Sequence, residues 1–146
     1  MVSADRSGHD QSMTLNVLIV EDSELIRTSL AGLLEPVQGI AIHTAATLAA
    51  ALESVRRILP TLLILDLHLP DGNSIQSIRT LKQLAPGMKI AMFTNDVNEF
   101  NRKKSQEAGA NWFFDKSIEF ENLLDVVRKQ AALNSTIPTK KSNTNE

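Results

Sequence analysis

The 146-residue chain contains no cysteine. Disulfides, thiol catalysis and thiolate zinc sites are therefore excluded, as in proteins of a reducing compartment. No apolar run approaches the roughly 18 residues of a membrane span. The first thirteen residues, MVSADRSGHDQSM, lack the apolar core of a signal peptide. The expectation is a cytoplasmic, unexported protein without a membrane partner. A net charge of -2 offers no bulk attraction for nucleic acid, so no direct DNA binding is expected. The turn after the first apolar run, EDSE, lacks the glycine fingerprint of a dinucleotide site. No His or Cys cluster argues for a soft metal.

What remains is ordinary globular composition, with 42% hydrophobic and 22% charged residues in a length that suits one domain. Residues 1–13 and 133–146 are polar and aperiodic and read as flexible tails around a domain over 14–132. Within it, the stretch Thr61 to Gly72, TLLILDLHLPDG, drives an apolar run into Asp66 and then breaks at Pro70 and Asp71-Gly72. Leu62 to Leu65 reads as a strand buried on both faces, and the turn residues deliver Asp66 to the rim of a sheet. Four further strands are expected over Asn16–Val20, Ile40–His43, Lys89–Phe93 and Asn111–Asp115. Helical periods fill the intervals. Ser23 and Thr47 stand as caps for the first and second helices, and the third runs from about Asn73 to Ala85. The fourth spans 97–108 with Asp96 and Glu99 as a capping pair, and the last starts at Ser117. In the run Trp112-Phe113-Phe114, two of the three rings belong in the core, because alternate strand residues face opposite sides.

Alternating strands and helices require a parallel sheet covered on both faces, because βαβ crossovers are right-handed. The fold expected is α/β and flavodoxin-like, a doubly wound five-stranded sheet of order 2-1-3-4-5 with five helices; a Rossmann-like order is the alternative. In the 2-1-3-4-5 order the ends of strands one, three, four and five are neighbours. Glu21-Asp22, Asp66, Thr94 and Lys116 then converge on one pocket. Like charges about 4 Å apart repel by about 4 kcal/mol at an effective dielectric near 20, so three clustered carboxylates call for a cation. Mg²⁺ and Lys116 supply it, since Mg²⁺ takes carboxylates and waters and leaves room for a phosphate. A carboxylate beside Mg²⁺, a lysine and a hydroxyl is a setting for phosphoryl transfer to form an acyl phosphate.

The acidic pair in VLIVEDSELIR, the aspartate in LLILDLHLPDG, the threonine in AMFTND and the lysine in FFDKS, in that order on those strands, resemble the receiver domains of bacterial two-component response regulators. The resemblance covers about residues 15–131. It implies that Asp66 is the phosphoacceptor and that Glu21 and Asp22 hold Mg²⁺, with Asp22 the direct ligand beside Asp66 and the His68 backbone carbonyl completing the shell. Thr94 and Lys116 would bind the phosphoryl oxygens. Thr94 and Phe113, three residues before the lysine, would form the switch. It further implies phosphorylation by a sensor histidine kinase or phosphotransfer protein.

The domain itself is expected not to be an enzyme beyond self-phosphorylation from a phosphodonor and autodephosphorylation. With tails of about 14 residues it is expected to act through a separate protein target, docked on the face of helix four, strand five and helix five, where Arg102, Lys103 and Lys104 lie. It would be a monomer or a phosphorylation-dependent dimer. The alternative is a small Mg²⁺-dependent phosphohydrolase with an aspartyl nucleophile, but such enzymes place a second aspartate where this chain has His68. Three positions depart from the receiver pattern. Ser117 follows the lysine where a proline in a cis bond is common. Phe113 stands where tyrosine is frequent. Asn95 is larger than the usual small residue and narrows access to the pocket. His68 and Asp96, two residues past the acceptor and the threonine, fall where side chains control the approach of water, and His68 is expected to overhang the pocket mouth.

Overall fold

A computed structural model describes residues 14–143. Beside a short antiparallel pairing of His68–Leu69 with Gly72–Asn73, its strands are β1 (Leu15–Val20), β2 (Ile40–Ala45), β3 (Leu62–Leu65), β4 (Lys89–Thr94) and β5 (Trp112–Asp115). They form one sheet in the order β2-β1-β3-β4-β5, and every pairing is parallel. The helices are α1 (Glu24–Leu34), α2 (Leu48–Ile58), α3 (Ile78–Leu84), α4 (Glu99–Ala108) and α5 (Phe120–Asn143). This is the flavodoxin-like α/β arrangement expected from the alternation of apolar runs and helical periods.

Strand residues alternate between two cores, one on each face. Leu18, Val20, Leu63, Leu65, Ile90, Met92 and Phe113 pack on one side with α2 and α3. Val17, Ile19, Leu62, Ile64, Ala91, Phe93 and Phe114 pack on the other with α1 and α5. All four residues of β3 are buried, so the unbroken run LLIL is what a central strand covered on both faces needs. Phe113 and Phe114 are core residues on opposite faces, and Trp112 is only partly buried, which makes two of the three rings core as the period predicts.

Local signals set most element starts. The Ser23 hydroxyl accepts the Ile26 amide at 3.2 Å and the Thr47 hydroxyl accepts the Ala50 amide at 3.0 Å, so both expected caps are in place. The α4 start differs. Asn98 is the cap, its Oδ1 accepting the Asn101 amide at 2.7 Å, and α4 begins at Glu99 rather than 97. Asp96 carries the same acceptor chemistry but is engaged elsewhere, with His68. The third helix opens as a 3₁₀ turn, Ser74–Ser77, because Ser74 is tied back to the end of β3 through its amide and hydroxyl. The last helix begins at Phe120 rather than Ser117, whose amide and hydroxyl both turn to the Asp115 carboxylate.

The same helix runs on to Asn143, past the boundary expected at 132. The composition of 133–143 is polar and Pro138 cannot donate a helical hydrogen bond, yet extending an existing helix carries no new nucleation cost. The expected tail at 1–13 lies outside the described residues, as do 144–146.

Two details of α2 were not visible in the periodicity. Asp71, in the loop after β3, reaches across to the start of this helix, its carboxylate accepting the Leu48 amide at 2.8 Å and the Ala49 amide at 3.0 Å. At the other end, Leu59 closes the helix in the left-handed conformation, φ 52°, and the residue is 59% exposed.

An L-residue there costs about 1–2 kcal/mol, and an exposed leucine offsets little of it by packing. Leu59→Gly should therefore raise stability by about 0.5–1 kcal/mol, after the greater entropy of glycine in the unfolded chain is subtracted. A rightward shift of the urea midpoint checks this. The amides of Leu48 and Ala49 hold the Asp71 carboxyl below its usual value of 3.8. A depressed carboxyl pKa contributes stability above the ordinary value and loses it as pH falls through the folded value. Asp71→Ala should thus lower the thermal midpoint at pH 7, and the deficit should close in acid below pH ~4.

Candidate functional site

Main-chain hydrogen bonds carry the ladder one step past the strand ends and fix the residues that follow. The Glu21 amide donates to Ala45 at 3.0 Å, the Asp66 amide to Val20 at 3.1 Å and the Lys116 amide to Thr94 at 2.8 Å. Glu21, Asp66 and Lys116 are therefore held by the sheet itself. They stand where ligands bind in open α/β sheets, at the carboxyl ends of strands flanking the topological switch.

The side chains meet as the spacing predicts. Lys116 Nζ donates to Glu21 Oε1 at 2.6 Å and to Asp66 Oδ2 at 2.8 Å. Glu21 is 4% exposed and Asp66 9%. The other carboxylate oxygens are satisfied by backbone, Asp66 Oδ1 by the Leu67 amide at 2.7 Å and Glu21 Oε2 by the Ser23 amide at 2.9 Å. Burial disfavours the Lys116 charge, but its hydrogen bonds to Asp66 and Glu21 and their negative charge outweigh that and raise its pKa above the usual lysine value.

Asp22 is exposed at the rim, and carboxylate oxygens of Glu21, Asp22 and Asp66 lie within 4.8 Å of one another. Oxygens on an octahedral Mg²⁺ at about 2.1 Å are at most about 4.2 Å apart. The acidic cluster is thus close to what the ion needs, and hard oxygen donors are its preferred set. Each carboxylate oxygen has a second lone pair, so the contacts with Lys116 and the backbone leave coordination capacity free.

Thr94 is buried, and its hydroxyl accepts the Asp96 amide at 3.2 Å, which leaves its own proton to donate. A cavity of about 390 Å³, lined by Asp66, His68, Thr94, Asn95, Asp96 and Lys116, opens to solvent beside it. His68 Nε2 meets Asp96 Oδ2 at 2.5 Å, so the two residues form a bridge at the mouth. A hollow of about 600 Å³ lies between α1 and β2, lined by Arg27, Glu35 and small or aliphatic residues, and it holds none of the converging groups.

The contacts that support the site carried no recognisable signal in the sequence. Arg27, one turn into α1, donates to the Glu21 carbonyl at 2.9 Å and the Asp22 carbonyl at 3.3 Å, pinning the acidic turn. The buried Ser74 hydroxyl donates to the Asp66 carbonyl at 2.7 Å. On the lysine loop, the Ser117 amide and hydroxyl reach Asp115 Oδ1 at 2.9 and 2.6 Å, and the Asp115 amide reaches Glu119 Oε1 at 2.8 Å. A proline at 117 could donate neither bond, so the serine replaces a proline constraint with hydrogen bonds, and no described peptide bond is cis.

Phe113 is 5% exposed, already turned into the core. Of the three basic residues of α4, only Lys103 and Lys104 lie on the exposed face, because Arg102 folds back over Phe113.

A protein-family model described as the response regulator receiver domain matches residues 17–128. Among curated proteins, the transcriptional activator protein ExaE of Pseudomonas putida is 29% identical over 119 residues, 81% of this chain and 56% of that protein. The chain thus spans about half the length of the curated relatives it matches. A solved two-component response regulator of the LuxR family from Aurantimonas sp. SI85-9A1 is 27% identical, with a TM-score of 0.75 over 82% of this chain and 86% of that one. A CheY-like receiver domain protein from Methanospirillum hungatei JF-1 is also 27% identical, with a TM-score of 0.75 over 84% and 98%. No described helix is long and apolar enough to cross a membrane. With the family model covering the whole sheet but its first two residues, the chain belongs to the response regulator receiver domain family of two-component systems.

Proposed function

We propose that this receiver domain is phosphorylated on Asp66 in a Mg²⁺-dependent reaction, by a histidine kinase or a phosphotransfer protein, and signals through a partner protein. The observation that carries the reading is the Lys116 ammonium, shared at 2.6 and 2.8 Å between Glu21 and Asp66 beside an open cavity. A buried carboxylate so placed is anchored, electrostatically compensated and still reachable from solvent.

In the transfer, an Asp66 carboxylate oxygen forms the new bond to phosphorus while the bond from phosphorus to the donor breaks, and the electron pair of that bond leaves with the donor. The product is an acyl phosphate. Mg²⁺, when bound, would neutralise charge on the phosphoryl oxygens. Asp22 and Asp66, with Glu21 and the His68 carbonyl, would hold it. Lys116 follows the charge from the Asp66 carboxylate to a phosphoryl oxygen, and the Thr94 hydroxyl donates to another. Ser74 keeps the Asp66 main chain still during the step.

Output would leave through the face of α4, β5 and α5, with Thr94 and Phe113 linking it to the pocket and Lys103 and Lys104 meeting an acidic partner surface. Phe113 is already inward, so in this chain the change upon phosphorylation would fall on Thr94 and the α4 start rather than on an inward rotation of the ring.

Acetyl phosphate with Mg²⁺ should place one phosphate on Asp66, read by mass spectrometry of the peptide. Asp66→Asn should block it, Lys116→Ala should reduce it, and Asp22→Ala should weaken Mg²⁺ binding in a titration. A phosphate mapped to another residue overturns the assignment. Because the His68–Asp96 bridge restricts water at the mouth, His68→Ala and Asp96→Ala should each shorten the phosphoryl lifetime. About 10-fold is expected, equivalent to about 1.4 kcal/mol of barrier. Unchanged decay in both variants would remove the bridge from the mechanism.

A further inference from the structure

The inner face of α4 is polar. Its buried residues are Asn101 and Ser105, and the Ser105 hydroxyl, fully buried, has no hydrogen-bond partner among the described residues. A helix seated on such a face gains little from apolar burial, so something else must hold it against β5. Arg102 does so. Its guanidinium carbon lies 4.8 Å from the centre of the Phe113 ring, and its Nη1 donates to the Phe113 carbonyl at 3.3 Å. Asp115, two residues further along β5, adds a carboxylate to the same neighbourhood.

We infer that Arg102 is a positioning residue that clamps Phe113 in its inward place and ties α4 to β5, so that the ring is buried whether or not Asp66 carries a phosphoryl group. Three features point the same way. Phenylalanine has no hydroxyl, so neither an inward nor an outward position is selected by a hydrogen bond of its own. The ring is 5% exposed and belongs to the core cluster that includes Ile78, Met92 and Ala110, so inward is a packed position rather than a transient one. A planar guanidinium on the ring face adds attraction available only while the ring stays there, and lysine could not reproduce the stacking.

The consequence concerns the route of the signal and so rests on the function proposed above. With the ring clamped, displacement of Thr94 reaches the partner face through the loop. The Asp96 amide bonds the Thr94 hydroxyl, and the Asp96 carbonyl accepts Asn101 Nδ2 at 3.1 Å on α4.

The test is NMR of the whole chain, with the Phe113 ring signals assigned by Phe113→Leu, recorded with and without beryllofluoride and Mg²⁺. The wild-type ring should stay buried in both conditions. Arg102→Met, which keeps an apolar stem and loses the guanidinium, should raise the outward population by about 2- to 5-fold without any ligand, the range a partly exposed cation–π contact supports. Arg102→Lys, which keeps stem and charge, guards against a folding defect and should give a smaller shift in the same direction. Ring signals identical in wild type and both variants, or a wild-type ring that moves inward only with beryllofluoride, would overturn the clamp. The fluorine signal of bound beryllofluoride reports the Asp66 pocket independently, so its loss would count against the phosphoacceptor reading and leave the clamp to stand or fall on the ligand-free spectra.

Discussion

The Lys116 ammonium is the group on which the rest of the site depends. It arises after β5 yet bonds a carboxylate after β3 and another after β1, so one long side chain spans the ends of the central sheet. Without it Glu21 and Asp66 would be two buried acids facing one another. Removing one partner from a buried ion pair generally costs about 3–5 kcal/mol, because the charge left behind has neither water nor counter-ion. The raised Lys116 pKa expresses the same balance, in which burial works against the cation and two carboxylates more than restore it. The compensation is also incomplete. Glu21, Asp22 and Asp66 bring three acids against one ammonium, and that residual negative charge is the imbalance a divalent cation would offset.

Much of this was legible from the sequence for one reason. A parallel sheet buries both faces, so its central strands appear as short continuous apolar runs, and the polar residue that ends each run must sit at the rim. Asp66 after LLIL was placed by that rule, and Lys116 stands one residue past the edge strand WFFD. Periodicity does not contain strand order. The 2-1-3-4-5 order was preferred to a Rossmann-like one because the turn after strand one lacks a glycine fingerprint, and that order brings the acids, the hydroxyl and the lysine together.

What escaped is equally physical. Asp96 and Asn98 offer the same acceptor chemistry two residues apart, and the choice between them was settled by His68, 28 residues away, taking the aspartate. Arg102 belongs by sequence to a solvated basic run with Lys103 and Lys104, and it leaves that run only because an aromatic ring on β5 stands within its reach. Asp71 looked like half of a turn and is also a cap for a helix more than 20 residues earlier. Each case depends on a long-range partner, and no local window holds it. The end of α5 failed differently, since composition describes whether a segment could start a helix, whereas this one only had to continue it.

These partners also explain why the rim can be both firm and responsive. Asp66, Glu21 and Lys116 are locked by ladder hydrogen bonds, by Ser74 and by Arg27, and none of those contacts needs to break for Asp66 to be modified. Thr94 stands differently, at the last position of β4, bonded onward through Asp96 to Asn101 in a helix whose buried face is polar and in part unsatisfied. Elements with few buried apolar contacts open at lower free energy than the core strands they lean on. A ligand shifts a conformational equilibrium only by its difference in affinity for the two states. On the proposed function, a phosphoryl group on Asp66 would move α4 with a few kcal/mol drawn from new bonds to Thr94 and Lys116, while the same free energy would leave the β1–β3–β4 core where it is.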